Sequence, residues 1–231
     1  LMSDEPEMES SLHYEQLALL VSCLEWFWRD RQDFFVGANL TVYYSRQQLK
    51  HRDFRGPDFF LVKQTERKPR NSWVIWEEGG RYPSLVIELL SDSTAAVDRT
   101  TKKDLYQDDW KTREYFWFSP KTLEFCGFRL GLDGSYGAID PTPEGWLWSQ
   151  ELELYLGIDG GQLRYFEAEG QLVPTLQEFN RLEIQRTELE AQRANAEAQR
   201  ANAEAQRANA LEEEVERLRR QLEGLGYDDD R

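Results

Sequence analysis

The stretch Leu85-Val86-Ile87-Glu88-Leu89-Leu90 decides the fold. Its apolar residues do not alternate with polar ones, and a run of this length suits a strand covered on both faces inside an α/β sheet. Glu88 is the exception within it. A lone carboxylate among Val86, Ile87, Leu89 and Leu90 is costly to bury, so it should be paired, protonated or bound to a cation. A strand-end glutamate turned to solvent is the plainer reading, and the apolar residues on both sides oppose it.

Upstream of this strand, Ser72–Trp76 is a second apolar run, closed by Glu77, Glu78 and the Gly79-Gly80 turn. Gly56-Pro57 breaks the chain before Asp58–Val62, a short apolar strand that opens with an acid. Asn39–Tyr44 alternates, with Leu40, Val42 and Tyr44 on one face. Ser10 to Asp30 reads as an amphipathic helix with Leu12, Leu17, Leu20, Val21, Leu24 and Trp28 as its apolar stripe. Downstream, Thr100–Trp110 reads as a helix and Glu114–Phe118 as a strand stopped by Ser119-Pro120. Leu123–Leu130 and the stretch from Trp146 to Phe166 add strands and hairpins, with a turn at Asp159-Gly160-Gly161. This succession indicates an α/β domain, a mixed sheet with flanking helices.

Three residues stand out chemically. Glu88 is the first. Asp58 is the second: at the edge of a strand its carboxylate can face a cleft, although a Pro-Asp pair is also ordinary turn chemistry. Together they form a candidate two-carboxylate site for Mg²⁺, which keeps several waters and needs only one or two protein carboxylates. The third is Lys102. If 100–110 is helical, Lys102, Leu105, Tyr106 and Asp109 share a face, and the Lys102 ammonium points back toward the strand that carries Glu88. Lys103 is rotated by about 100° and should meet solvent. A plain surface charge is the alternative for either lysine. Ser91 to Thr94 (SDST) suits helix capping better than direct catalysis.

The composition sets bounds. Eight Trp, twelve Phe and ten Tyr among 231 residues describe a globular chain, long enough for one medium domain plus an appendage. A net charge of −15, from 43 acidic and 28 basic side chains, opposes indiscriminate nucleic-acid binding. A local basic cleft or a bound divalent cation would escape that count. Cys23 and Cys126 lie far apart, and no Cys/His cluster has zinc spacing. No apolar run approaches the ~20 residues of a membrane helix, and LMSDEPEMES lacks the features of a signal peptide. The expectation is a cytoplasmic protein without a membrane partner.

Past Val173-Pro174 the composition changes to Ala, Glu, Gln, Arg and Asn. AQRANAE begins at Ala191 and again at Ala198, and AQRANA at Ala205, a seven-residue period that predicts a coiled-coil helix over 173–231. The Ala191, Ala194, Ala198, Ala201, Ala205, Ala208 stripe passes to Leu211, Val215, Leu218, Leu222 and Leu225 with a disturbed register. Alanine seams bury little, at about 25 cal/mol per Å², so a lone solvated helix competes with a homodimer through this segment. Gly224, Gly226 and Asp228–Asp230 end the helix.

Taken in order, GPDFF (56–60), VIELLSDST (86–94), DRTTKKDLY (98–106) and REYFWFSP (113–120) resemble the Uma-two (Uma2) family of restriction-endonuclease-like proteins, within the PD-(D/E)xK nuclease superfamily. The resemblance covers residues 9–165, and the ordered set is more specific than any one motif. It implies a restriction-endonuclease-like domain over 1–172, with Asp58 and Glu88 as ligands of Mg²⁺ or Mn²⁺. The superfamily lysine stands two residues after the glutamate, where this chain has Leu90. The resemblance instead places it on the next helix, in a D-x-x-x-K-x-x-x-Y pattern matched by Asp98, Lys102 and Tyr106, with Tyr106 positioning the lysine. An N-terminal acid or histidine often assists in such folds. Glu9 and His13 are the candidates here, set against a solvated cap and a surface histidine.

The implied activity is metal-assisted hydrolysis of DNA phosphodiester bonds. Beside an active endonuclease stand two other readings: a nuclease fold retained as a binding module, and an assembly protein that works through its helix.

Overall fold

A computed structural model describes residues 10–45, 56–91 and 95–224. The expectations for Glu9, for Asp92, Ser93 and Thr94, and for Leu225, Gly226 and Asp228–Asp230 lie outside them. The chain forms two units, Leu1–Leu176 and Gln177–Arg231.

The first unit contains helix α1 (Ser11–Phe27) and strands β1 (Phe34–Ala38), β2 (Val42–Tyr43), β3 (Phe59–Lys63), β4 (Trp73–Val74) and β5 (Leu85–Leu89). A helical crossover, α2, opens at Ala95–Val97 and continues as two π-helical stretches, Asp98–Lys102 and Leu105–Asp109. Then come β6 (Glu114–Phe118), β7 (Phe125–Leu130), β8 (Tyr136–Ala138), β9 (Leu147–Ser149), β10 (Leu154–Asp159) and β11 (Gln162–Phe166). The main sheet runs β1-β3-β5-β6-β7-β8, beside a three-stranded sheet β11-β10-β9 and a β2-β4 pair. Strands β5 and β6 are parallel, with Glu88 opposite Trp117. The other neighbours in the main sheet are antiparallel. A parallel pair cannot be closed by a tight hairpin, and α2 is the connection that makes it.

Every residue of β5 is buried, because both faces of the sheet are covered. Leu85, Ile87 and Leu89 join a core with Leu17, Leu20 and Leu24 of α1 and with Leu154 and Leu156 of β10. Val86 and Leu90 join the opposite core with Tyr106, Trp110, Tyr115 and Trp73. Side chains alternate along a strand, so Glu88 falls on the Val86–Leu90 face, under α2.

Three local expectations change. Leu12 is exposed, and Gln16 takes an inward place on α1. Gln16 tolerates this because its amide exchanges two hydrogen bonds of 2.9 Å with the Leu163 backbone, satisfying an edge strand that lacks a neighbour on that side. The 39–44 alternation yields only the two-residue β2, since Asn39 takes a left-handed turn (φ 46°) after the unanticipated strand β1. The helix expected over 100–110 begins earlier and is largely π-helical, a wider winding than the α period assumes.

The described part of the second unit lies in helix α3 (Leu176–Gly224), of 49 residues with no buried side chain, which starts at the last residue of the first unit. No described helix is long and apolar enough to cross a membrane.

Candidate active site

Asp58 precedes β3, directly beside the strand that carries Glu88. The antiparallel register sets Phe59 opposite Ile87, so Asp58 comes level with Glu88. The Asp58 N–H faces Glu88 Oε2 at 3.4 Å, and Asp58 Oδ2 accepts from the Leu89 N–H at 2.7 Å. Both carboxylates are thus held by backbone geometry rather than by flexible loops.

Helix α2 supplies the cation. Lys102 Nζ lies 3.0 Å from Glu88 Oε2 and 2.8 Å from Asp98 Oδ1, one helical turn earlier on the chain. The Tyr106 hydroxyl donates to Glu88 Oε1 at 2.6 Å. Helix α1 supplies a fourth partner: His13 Nε2 is 2.9 Å from Asp58 Oδ1. The Ser10 hydroxyl accepts from the His13 N–H and caps that helix. Asp58, Glu88, Lys102, Tyr106 and His13, five residues scattered over the first half of the sequence, are therefore brought together. Glu9 lies outside the described residues.

Exposure is graded across the cluster. The Glu88 side chain is fully buried, whereas Lys102 and Asp58 are each 16 % exposed and His13 12 %. Burial pushes the Asp58 carboxyl up, but the His13 contact, Lys102 and the Leu89 N–H outweigh it and hold Asp58 below the usual carboxylate range. Burial drives Glu88 the other way, well above that range. Lys102 opposes this rise, and Asp58 and Asp98 add to it. Burial also works against the Lys102 charge, yet Glu88, Asp98 and Asp58 raise its pKa above the ordinary lysine value. Burial and the Glu88 charge keep the Tyr106 phenol protonated.

Asp98 is the member that was not singled out as a site residue. It is almost completely buried, and its backbone carbonyl accepts from the Tyr115 hydroxyl at 2.7 Å. The sequence signal for it was present: four residues separate Asp98 from Lys102, the spacing at which helical side chains meet.

Three carboxylates, Asp58, Glu88 and Asp98, surround one ammonium. Among the described residues no group of three or more His, Cys, Asp or Glu side chains is placed to hold a metal ion. Two adjacent carboxylates nonetheless suit a hard, oxygen-seeking cation that retains its waters. The repulsion of Glu88 by Asp58 is the kind of crowding such a cation relieves. The donor set fits a divalent ion held by Asp58 and Glu88. Next to it is a cleft of about 580 Å³, lined by His13, Ser91, Arg99, Ser119, Lys121 and Thr122 among others. Arg99 pairs there with Glu124 and lies 4.9 Å from the Trp117 ring centroid.

No curated protein matches the sequence. Among solved structures, the chain is similar to one from Anabaena variabilis ATCC 29413, described as the "Crystal structure of a putative nuclease belonging to DUF820". The two are 16 % identical, with 66 % of this chain and 80 % of that one covered and a TM-score of 0.49. Residues 5–164 match the model of the Uma2 family, whose description is "Putative restriction endonuclease". With more than half of its length accounted for by that model, the chain belongs to the Uma2 family of restriction-endonuclease-like proteins.

Proposed function

We propose that this protein is an endonuclease that hydrolyses DNA phosphodiester bonds with Mg²⁺ or Mn²⁺, using Asp58, Glu88 and Lys102. The observation that carries this reading is the contact between Lys102 Nζ and Glu88 Oε2, 3.0 Å, beside Asp58, whose partner His13 lines the neighbouring cleft. The ion, held by Asp58 and Glu88, would acidify a bound water and offset charge on the phosphate. Lys102 remains an ammonium next to its carboxylates, so it donates hydrogen bonds and does not remove protons. Its role is to orient the attacking water and to stabilise negative charge as the phosphorus gains its fifth oxygen. Tyr106 fixes the Glu88 carboxylate and leaves Oε2 to Lys102. His13 fixes Asp58 from the cleft side. In the cleft Arg99 and Lys121 outnumber Glu124, the partner of Arg99, a local balance that the net −15 conceals.

The nuclease domain occupies residues 1–172, and residues 173–231 form a coiled coil that pairs two chains. Leu211, Val215, Leu218 and Leu222 support the pairing, since each keeps at least 43 % of its surface exposed on the isolated helix. We place the protein in the cytoplasm, where Cys23 and Cys126, both free thiols, stay reduced.

Cleavage of plasmid and single-stranded DNA with each metal, by the wild type and by Glu88→Ala and Lys102→Ala, tests the activity. Metal-dependent cutting abolished by both substitutions supports it. A folded wild type that cuts under no condition refutes it and favours a binding module. Cutting that survives Glu88→Ala means that the site is misplaced.

A further inference from the structure

The apolar and charged positions of α3 specify how two copies would meet. The structure leaves Leu211, Val215, Leu218 and Leu222 exposed, and they follow Ala208 at spacings of three, four, three and four. In heptad terms Ala208, Val215 and Leu222 are a positions, and Leu211 and Leu218 are d positions. The flanking e and g positions are then fixed: Arg207 and Glu214 at g, Glu212 and Arg219 at e. Extending this register toward the N-terminus puts Glu204 and Glu197 at d, so the seam is confined to the last turns of the helix. The alanine stripe upstream is out of phase with it.

Charge order distinguishes the two possible orientations. In a parallel, in-register pair, each g residue meets the e residue five positions later on the other helix. That gives Arg207 against the second copy's Glu212 and Glu214 against its Arg219, each twice by symmetry, and all four pairs attract. In the antiparallel pair that stacks the same apolar layers, Val215 lies opposite Leu218 and Ala208 opposite position 225. Glu212 then meets Arg219 twice, and Glu214 meets the uncharged Gln221. Over residues 207–222 the parallel arrangement has four attractive pairs and the antiparallel two, since Arg207 would there fall opposite position 228, past the described end of α3. Among the described residues Arg207, Glu212 and Arg219 form no ion pair within their own helix, so they are available to a partner. Arg217–Glu214 and Arg220–Glu216 bind within the helix; of these four residues only Glu214 flanks the seam.

We infer that the occupant of this helix face is a second copy of the same chain, aligned parallel and in register over residues 207–222. This rests on the pairing proposed above and adds its direction and its specificity residues.

Two measurements on the full chain decide it. In the first, Ala208→Cys is oxidised in a Cys126→Ser background, after sedimentation has established the state of association. A covalent dimer linked through position 208 is expected. In the antiparallel pair the two sulfurs would be about 25 Å apart along the axis, at 1.5 Å per residue. Dimers that fail to cross-link there would overturn the parallel arrangement while leaving the pairing intact. A monomer at all concentrations would overturn the pairing itself. In the second, Glu212→Arg should weaken dimerisation about tenfold, from two exposed attractions turned to repulsions. Adding Arg207→Glu should restore it. Restoration by Arg219→Glu instead would show that the helices are antiparallel.

Discussion

Replacing Lys102 with Met removes the one ammonium that Glu88 and Asp98 share, while keeping a side chain of similar length and volume. Both carboxylates are essentially without solvent access, so water cannot take the place of the lost cation. Breaking a buried ion pair on one side costs about 3–5 kcal/mol, a large part of the ~5–15 kcal/mol that holds a domain folded. The loss should depend on pH. The folded pKa of Glu88 already lies above its unfolded value of 4.5, so its contribution to stability is full below 4.5 and declines as pH rises toward the folded value. Removing Lys102 takes away the main influence opposing that rise and widens the declining window. The variant should therefore lie close to the wild type near pH 4 and fall progressively behind it toward pH 8. Urea unfolding followed by tryptophan fluorescence at pH 4, 6 and 8 measures this. At pH 8 the midpoint should drop by about 1–5 M for a slope of ~1–3 kcal/mol per M. Adding Asp98→Asn should recover part of the loss, since one carboxylate rather than two then lacks its cation. A variant within about 0.5 kcal/mol of wild type at pH 8, with no dependence on pH, would refute the reasoning.

Tyr106→Phe leaves Glu88 Oε1 without its 2.6 Å donor and should cost about 1–3 kcal/mol in the same urea assay; no change would show that the contact is energetically idle. His13→Ala should move acid unfolding to higher pH. Asp58 is held below its ordinary value chiefly by His13 against the effect of burial, so its stabilisation is present above the unfolded value of 3.8 and is lost as pH falls through the folded one. Without His13 the loss begins at higher pH, and an unchanged acid midpoint would contradict the assignment. A chain ended after Pro174 should keep the urea midpoint of the domain while losing association in sedimentation. A lowered midpoint would mean that the helix belongs to the domain's stability.

The sheet was readable because burial and alternation leave strong marks. LVIELL announced a strand covered on both faces and EYFWF a further strand, and every residue of both is buried; that the two are parallel neighbours is visible only in the structure. Strand β1 was not readable, because Phe34-Phe35-Val36-Gly37-Ala38 follows the helix closely and contains a glycine, ordinarily a weak strand residue. Gly37 is there because its neighbour requires it: a Cβ would stand 2.1 Å from the Phe60 ring, a contact defined only once β1 pairs with β3. Gln16 was missed for the same kind of reason, since its partner at Leu163 is 147 residues away. At the site, Glu88 and Lys102 were legible from burial cost and helix geometry. The His13–Asp58 contact spans 45 residues, and only the packing of α1 against the sheet creates it. The π-helical winding of α2 has no period in the sequence that would have predicted it.

The place of α2 over the sheet bears on why the lysine can stand where it does. A lysine two residues after Glu88 would occupy position 90, on the same face of β5. Here Leu90 fills that place in the core formed with Tyr106, Trp110 and Tyr115, so an ammonium there would lie among aromatic rings. The face is covered by α2 because β5 and β6 are parallel and need a crossover. The same helix can therefore lower a lysine onto the carboxylate from above and seal the apolar remainder with Tyr106 and Trp110. Asp98, buried beside Glu88, supplies a second anion at the Lys102 head. Lys102 touches Asp98 at 2.8 Å and Glu88 at 3.0 Å, which fixes the ammonium between helix and strand. What the superfamily resemblance would place in three consecutive strand residues is, on the proposed reading, distributed over Glu88, Asp98, Lys102 and Tyr106. In the proposed hydrolysis the cation beside the buried carboxylate comes from α2 rather than from β5.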